Sequence, residues 1–331
     1  MFVDRWQLGA GLLVAVCILL LAPSSSDAEQ LAFHVLTVFP ENSKPQKALI
    51  RGARRLSRES DGQVLMRYVT ANEPTGEFML SQFSADDSLS AALVPSVALQ
   101  DQMPNADLYG QLFLFRDNAE VAHVRERMDK VLLATLNNDD FITVGLAGIG
   151  FLYFMGDDSV ENIEALAGRT VWMPIESDHD RAALSELSLK TVAGEMPSIV
   201  SDDAGVSLLM IHNPTALILN KKIPRPQYLM QPPLRYGYFL LIVKRSVWEN
   251  LEETDLAIIN KTLTEQLADI EKKARSAAER SLRLLKRRGM SSVELRDADA
   301  LRPVGEDTLF KPGLQQRLVQ ALDNYRSHSE K

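Results

Sequence analysis

Cysteine is almost absent: the chain of 331 residues holds one, Cys17, inside an N-terminal apolar run. Residues 1–28 read as an export signal. Arg5 supplies a thin positive start, Leu8 to Ala22 form the apolar stretch, and Ser26-Asp27-Ala28 offers small residues at the cleavage positions. A retained membrane anchor is the alternative. Val16, before Cys17, is too large for a lipid-modified cysteine, and apolar residues continue after it. Once the leader is removed after Ala28, no cysteine remains, which excludes disulfides, thiol chemistry and Cys-ligated metal. The five histidines are scattered, with no HExxH or H-x-H spacing, and there is no G-x-S-x-G elbow. No catalytic constellation, metal site or cofactor is therefore expected, and the chain reads as a non-enzyme. Positive charge is also short: the formal charge is −8, of which the leader's one Arg and two Asp carry −1, leaving −7. A nucleic-acid partner would want a basic field. Repeats and low-complexity tracts are missing.

What is present is an alternation of strand and helix patterns too long for one core, so two lobes are expected. Leu31 to Val38 reads as a strand, Ser43 as the cap of a helix reaching Ser60, Gln63 to Val69 as a second strand, and Ala91 to Val94 as a short buried third. After a helix at Glu120 to Leu136, Phe141 to Met155 is a long apolar strand relieved at Gly145, Gly148 and Gly150. It suits a chain crossing between lobes. A second alternating set begins at Ser159: a helix to Ala167, a strand at Thr170 to Met173, a helix near Asp180 to Leu189 and a strand at Ser207 to His212. Tyr236 to Val243 returns as another long strand. The acidic Asp178-His179-Asp180 run reads as the solvated start of its helix, and Asp139-Asp140 and Asp202-Asp203 as turns.

From about Glu252 to Arg288, apolar residues from Leu256 to Leu285 recur at spacings of three and four, one helical face throughout. At about 1.5 Å per residue the helix would run roughly 55 Å, longer than one lobe. A brace along both lobes is the economical solution; a coiled-coil stem joining two copies of the chain is the competing account. Arg283, Lys286, Arg287 and Arg288 suit the C-terminal end of this helix, with Gly289 as its stop. One more helix is expected at Pro312 to Arg326. The division predicted is 29–145 plus about 237–270 for lobe I, and about 146–236 plus 271–331 for lobe II.

Several short stretches, in order, resemble the solute receptors of TRAP transporters (the DctP family). Thr37-Val-Phe-Pro-Glu-Asn-Ser43 is similar to that family's T-V-x-P-x-x-S. Met103-Pro104 followed by Leu112-Phe-Leu-Phe-Arg-Asp117 is similar to V-P and L-P-F-L-F-R-D, with Leu112 where proline is usual. Asn213-Pro214 matches the E-N-P turn, and Val243-Lys-Arg-Ser-Val-Trp248 through Leu251 resembles the segment before the family's long helix. Leu166-Ala-Gly-Arg-Thr-Val-Trp-Met-Pro174 resembles the segment that presents a ligand-binding arginine, typically L-K-G-x-K-x-R-V-P. Here the arginine is Trp172. The resemblance spans roughly Phe33 to Gly289 and implies an α/β, two-lobed periplasmic-binding-protein-like fold with shared crossover strands and a long C-terminal helix bracing both lobes.

It also implies a periplasmic solute-binding protein whose partners are a small-molecule ligand and the small and large TRAP membrane subunits, or another envelope transport component. Where the family grips its ligand this chain departs from it. A second arginine falls on Leu152, and polar or acidic cleft positions fall near Val38 on the first strand and near Pro95 on the third. The segment before Asn213 has lost its usual L-Q-T-G-x-x-D pattern. A guanidinium fork contributes bonds of roughly 1.5 to 3 kcal/mol each, and a carboxylate enclosed without one suffers a desolvation penalty of several kcal/mol. The ligand expected is therefore apolar or amphipathic, gripped by Trp172, Leu152, Val38, Val94 and Pro95, with Asn213 orienting one polar group. Two alternatives stay open: Arg235 beside the second crossing as a relocated anion site for a carboxylate, or a ligand-free scaffold of the cell envelope.

Overall fold

A computed structural model describes residues 30–72, 76–194, 209–303 and 309–329. The predicted leader lies outside the described residues, as do the first two positions of the strand expected from Ser207. Strands are β1 (Leu31–Thr37), β2 (Val64–Thr70), β3 (Ala91–Pro95), β4 (Phe141–Gly156), β5 (Thr170–Met173), β6 (Lys190–Ala193), β7 (Leu209–His212), β8 (Tyr228–Gln231), β9 (Arg235–Lys244) and β10 (Ser291–Glu294). Helices used below are α1 (Lys44–Glu59), α2 (Gly76–Ala85), α3 (Ser96–Leu99), α4 (Asn118–Ala134), α5 (Asp178–Glu186), α6 (Pro214–Leu219), α7 (Arg245–Trp248), α8 (Glu253–Arg287) and α9 (Leu314–Ser329).

Eight strands lie in the order β2-β1-β3-β9-β4-β7-β5-β6, with β8 paired to β4 and β10 to β8 off that path. At both ends the neighbours are parallel, β1 with β2 and β3, and β5 with β6 and β7. Parallel neighbours need helical crossovers, and the sequence supplies them. In α1, Ser43 accepts from the Gln46 amide, and Leu49, Ala53 and Leu56 repeat along the buried side. The two halves meet at β4 and β9, which run antiparallel and pair from Phe141 opposite Lys244 to Leu152 opposite Arg235. Two register shifts interrupt that pairing, at Thr143/Gly145 and at Gly148/Gly150. Gly150, at φ 93°, takes a conformation that an L side chain resists. The glycine-spaced segment thus bends a strand shared by both halves.

Helix α8, with 35 residues, would extend about 52 Å. Ile259, Leu263, Leu267 and Ile270 pack with Phe33, Val35, Leu241 and Val243 of the first half. Further along, Leu285 joins the core that contains Trp172, Met210 and Leu217 of the second half. One amphipathic face therefore braces both halves. The basic residues at its end are exposed, and Gly289 at φ 98° closes it. Helix α9 lies against α4, where the Arg326 guanidinium donates to both carboxylate oxygens of Glu120 at 2.7 and 2.9 Å and to the Leu114 carbonyl at 3.0 Å. Among the described residues no helix is long and apolar enough to cross a membrane.

Candidate functional site

At the start of β9, Arg235 is only 6% exposed, and its guanidinium donates to two carboxylates, those of Asp107 and Asp180. Asp107 comes from the 3-10 turn Pro104–Gly110, which follows α3, and also accepts from the Ser96 hydroxyl at 2.5 Å. Asp180 comes from the first turn of α5, in the second half, where it forms a reciprocal capping box with Ser177. The expectation of a solvated helix start is corrected here: Asp178 and Arg181 are exposed, but Asp180 is 3% exposed and turned inward. The same seam is reinforced beside the triad. The Ser177 hydroxyl donates to Gln100 Oε1 at 2.7 Å, and the Asp178 amide donates to the Asp101 carboxylate at 3.2 Å.

One cation between two carboxylates carries net charge −1. Burial favours the neutral form of Asp107 and pushes its carboxyl up to about 6, although Arg235 pulls the other way. Burial also disfavours the charged Arg235, but Asp107 and Asp180 outweigh it and hold its pKa above the ordinary value. The arginine is thus satisfied from within the chain.

A second arginine, half-buried Arg125 on α4, has the same balance. It donates to Asp129 at 3.0 Å and Glu271 at 2.7 Å, and to the Tyr236 hydroxyl at 3.3 Å. Glu271, on α8, also accepts from the Gly148 amide at 3.2 Å, beside a cavity of about 30 Å³ lined by Gly148, Gly150, Tyr236 and Glu271. That is room for about one water.

On one face of the crossover strands lies an aromatic surface. Phe151 meets Tyr236 edge-on at 5.5 Å and Tyr153 at 6.5 Å, and Tyr236 stacks on Tyr238 at 6.1 Å. Trp172, 5% exposed, lies tilted against His212 at 5.4 Å, and its indole N–H donates to the Gly194 carbonyl at 3.0 Å. His212 on β7 is paired in register with Tyr153 on β4, so the two side chains are neighbours. The Asn213 amide donates to His212 Nδ1 at 2.8 Å, which places the ring proton on Nε2. Burial holds His212 down at about 4, a neutral imidazole at pH 7, and pushes Tyr153 up to about 12.

Of the residues singled out in the sequence, Trp172, Val94 and half-buried Val38 share the large core that also holds Phe151 and Tyr153. Pro95 is buried at the junction of β3 and α3, opposite Phe239. Leu152 faces the other way, packing near Gly237 against the core of Phe113, Phe154 and Leu234. Asn213 is committed to the backbone. Its amide nitrogen donates to the Ile149 and Phe151 carbonyls at 3.0 and 3.3 Å, and its oxygen caps α6 by accepting from Thr215 at 2.8 Å. Arg235 stands apart in the ion triad. Sequence reasoning passed over Tyr153 and His212; period-two alternation from Phe151 marks the former, and adjacency to Asn213 the latter.

No protein-family model matches the chain, and no curated protein does. Solved structures do. A TRAP periplasmic solute binding protein from Fusobacterium nucleatum with bound sn-glycerol-3-phosphate is 17% identical, over 91% of this chain and 100% of that one, with a TM-score of 0.73. One from Ochrobactrum anthropi, with a C-terminus bound in the ligand binding pocket, is 17% identical over 91% and 97%, at TM-score 0.74. One from Xanthobacter autotrophicus with bound β-D-galacturonate is 15% identical over 88% and 99%, at TM-score 0.74. The chain has the two-lobed fold of TRAP periplasmic solute binding proteins.

Proposed function

We propose that this protein is an exported, periplasmic solute-binding protein of TRAP type, which closes its two lobes over a small ligand and delivers it to membrane subunits or another envelope transport component. The observation that carries this reading is the match of fold over nearly the full length of solved receptors. The crossover pair β4 and β9 and the brace α8 supply a hinge and a spine for such closure. The leader directs export, and the lobes divide at the crossover strands.

The ligand we propose is apolar or amphipathic and carries no full negative charge. Two of the neighbours above hold a phosphate ester and a uronate, and an anion needs an uncompensated cation. Here Arg235 and Arg125 are each flanked by two carboxylates, and Trp172 stands where the family's arginine is usual. An anion enclosed between the lobes would lose hydration worth several kcal/mol, and neither of these two arginines has charge left over to offset it. Apolar surface, by contrast, gains about 25 cal/mol per Å² buried.

The Asp107–Arg235–Asp180 triad favours a second reading, a scaffold closed by its own carboxylates that binds no solute. Native mass spectrometry of protein purified from an exporting cell separates them. An uncharged, lipophilic molecule co-purifying in stoichiometric amount is the expected result. A stoichiometric carboxylate overturns the proposed ligand class, and ligand-free protein throughout supports the scaffold.

A further inference from the structure

We infer that Tyr153 and His212 form a two-donor hydrogen-bonding site for an uncharged oxygen, a carbonyl or hydroxyl, on a ligand whose apolar body lies against Trp172 and Phe151. The inference deepens the receptor reading above and rests on it.

The pair is set by topology: β4 and β7 run antiparallel, with Tyr153 directly opposite His212. Tyr153 is 6% exposed, yet among the described residues its hydroxyl has no hydrogen-bond partner, and neither has His212 Nε2. Most other polar groups of this region are committed. The indole N–H of Trp172 goes to Gly194, the Asn213 amide to Ile149 and Phe151, and the Tyr236 hydroxyl accepts from Arg125. Neither the Tyr153 hydroxyl nor His212 Nε2 is among the side-chain atoms sealed away without a partner, so an outside acceptor can reach both, and one that replaces water there keeps their hydrogen bonds while burying apolar surface. The Asn213 backbone N–H bonded to Nδ1 fixes Nε2 as the donor of the imidazole. Neighbouring N–H and O–H donors on one strand pair suit one carbonyl oxygen with two lone pairs, or a hydroxyl oxygen.

Charge then narrows the class. His212 is neutral at pH 7, Arg125, which donates to the Tyr236 hydroxyl, is bonded to Asp129 and Glu271, and Arg275, which lines the cavity beside Tyr236, is exposed to solvent. A carboxylate would offer good acceptors but meet no net positive charge. A bare hydrocarbon would bury its surface and leave both donors idle. An uncharged oxygen on an apolar frame satisfies both conditions.

Three probes with one bicyclic body test this by isothermal titration calorimetry on the mature protein at pH 7: 2-acetylnaphthalene, 2-ethylnaphthalene and 2-naphthoate. The ketone is expected to bind about tenfold or more tightly than either of the others, and Tyr153→Phe to erase most of that preference. His212→Asn, which keeps an acceptor for the Asn213 amide, should do the same. Equal binding of ketone and hydrocarbon, or a preference untouched in Tyr153→Phe, overturns the oxygen site while leaving an apolar receptor standing. Tightest binding of the naphthoate overturns the charge argument. Binding of none of the three by protein with native circular dichroism removes the receptor reading and the site with it.

Discussion

Asp107 and Asp180 come from opposite sides of the seam between the two halves, yet one guanidinium, that of Arg235, donates to both carboxylates inside the protein. Because Asp107 holds the remaining face of Arg235, removing the cation strands two buried carboxylates, whereas removing one carboxylate leaves a matched pair. Arg235→Met should therefore cost about 3–5 kcal/mol of stability, and Asp180→Asn a smaller amount, about 1–3 kcal/mol. Urea unfolding followed by circular dichroism ranks them. If Asp180→Asn proves the costlier change, the triad is not balanced as described.

Acid should act on the fold through two groups of opposite sign. In the folded chain Asp107 titrates near 6 against 3.8 for an ordinary aspartate, so between those values the folded state binds the extra proton and this group adds stability as pH falls. His212 titrates near 4 against 6.5; between those values the unfolded chain binds the extra proton, and stability is lost as pH falls. The two effects oppose one another in the parent protein. Asp107→Asn removes the first and should steepen the loss of stability between pH 6.5 and 4.5, while His212→Gln removes the second and should flatten it. Urea midpoints at several pH values in this window give both slopes.

The succession of the main strands, the two crossover strands, the long brace and the glycine relief at Gly145 to Gly150 were legible in the sequence because periodicity and glycine placement are local signals, whereas the order of the strands across the sheet was not. Trp172 was legible because it interrupts a recognisable stretch. Asp180 was misread for a physical reason: acidic residues in a first helical turn are usually held by the helix terminus and by water. What turns this one inward is Arg235, 55 positions later, a partner that no local pattern announces. Tyr153 opposite His212 is likewise a matter of strand register, and a hydrogen-bonding pair assembled across a sheet has no sequence motif. Asn213 illustrates the converse. Its place before Pro214 was visible, but the carbonyls of Ile149 and Phe151 that its amide meets became neighbours only through the bent crossover.

Gly148 offers a test of that bend. A Cβ built there would overlap the Tyr236 hydroxyl, with the ring carbon beneath it at 2.7 Å. Gly148→Ala should destabilise the protein by about 1–3 kcal/mol through overpacking. Tyr236→Phe removes the overlapping oxygen, so the double variant Gly148→Ala with Tyr236→Phe should lose less stability than the sum of the single losses. A strictly additive pair would show that the strand shifts away from the tyrosine instead.

The hydrogen bonds of the Asn213 side chain to the backbone at Ile149, Phe151 and Thr215 predict a structural signature when it is changed. Asn213→Asp keeps an oxygen for the Thr215 amide and sets a carboxylate against two carbonyl oxygens, replacing two attractions by repulsion. Asn213→Ala loses the cap, worth about 1 kcal/mol, and leaves two carbonyls to water or to nothing. Because repulsion is added in one case and interactions are only lost in the other, the aspartate variant should be the less stable at pH 7 despite its closer shape. Lowering the pH enough to protonate the new carboxyl should narrow the gap, since a protonated acid can donate to one of those carbonyls. Thermal unfolding of both variants at pH 7 and pH 4 reads this out. A side chain that served only a ligand would show little difference between the variants without one.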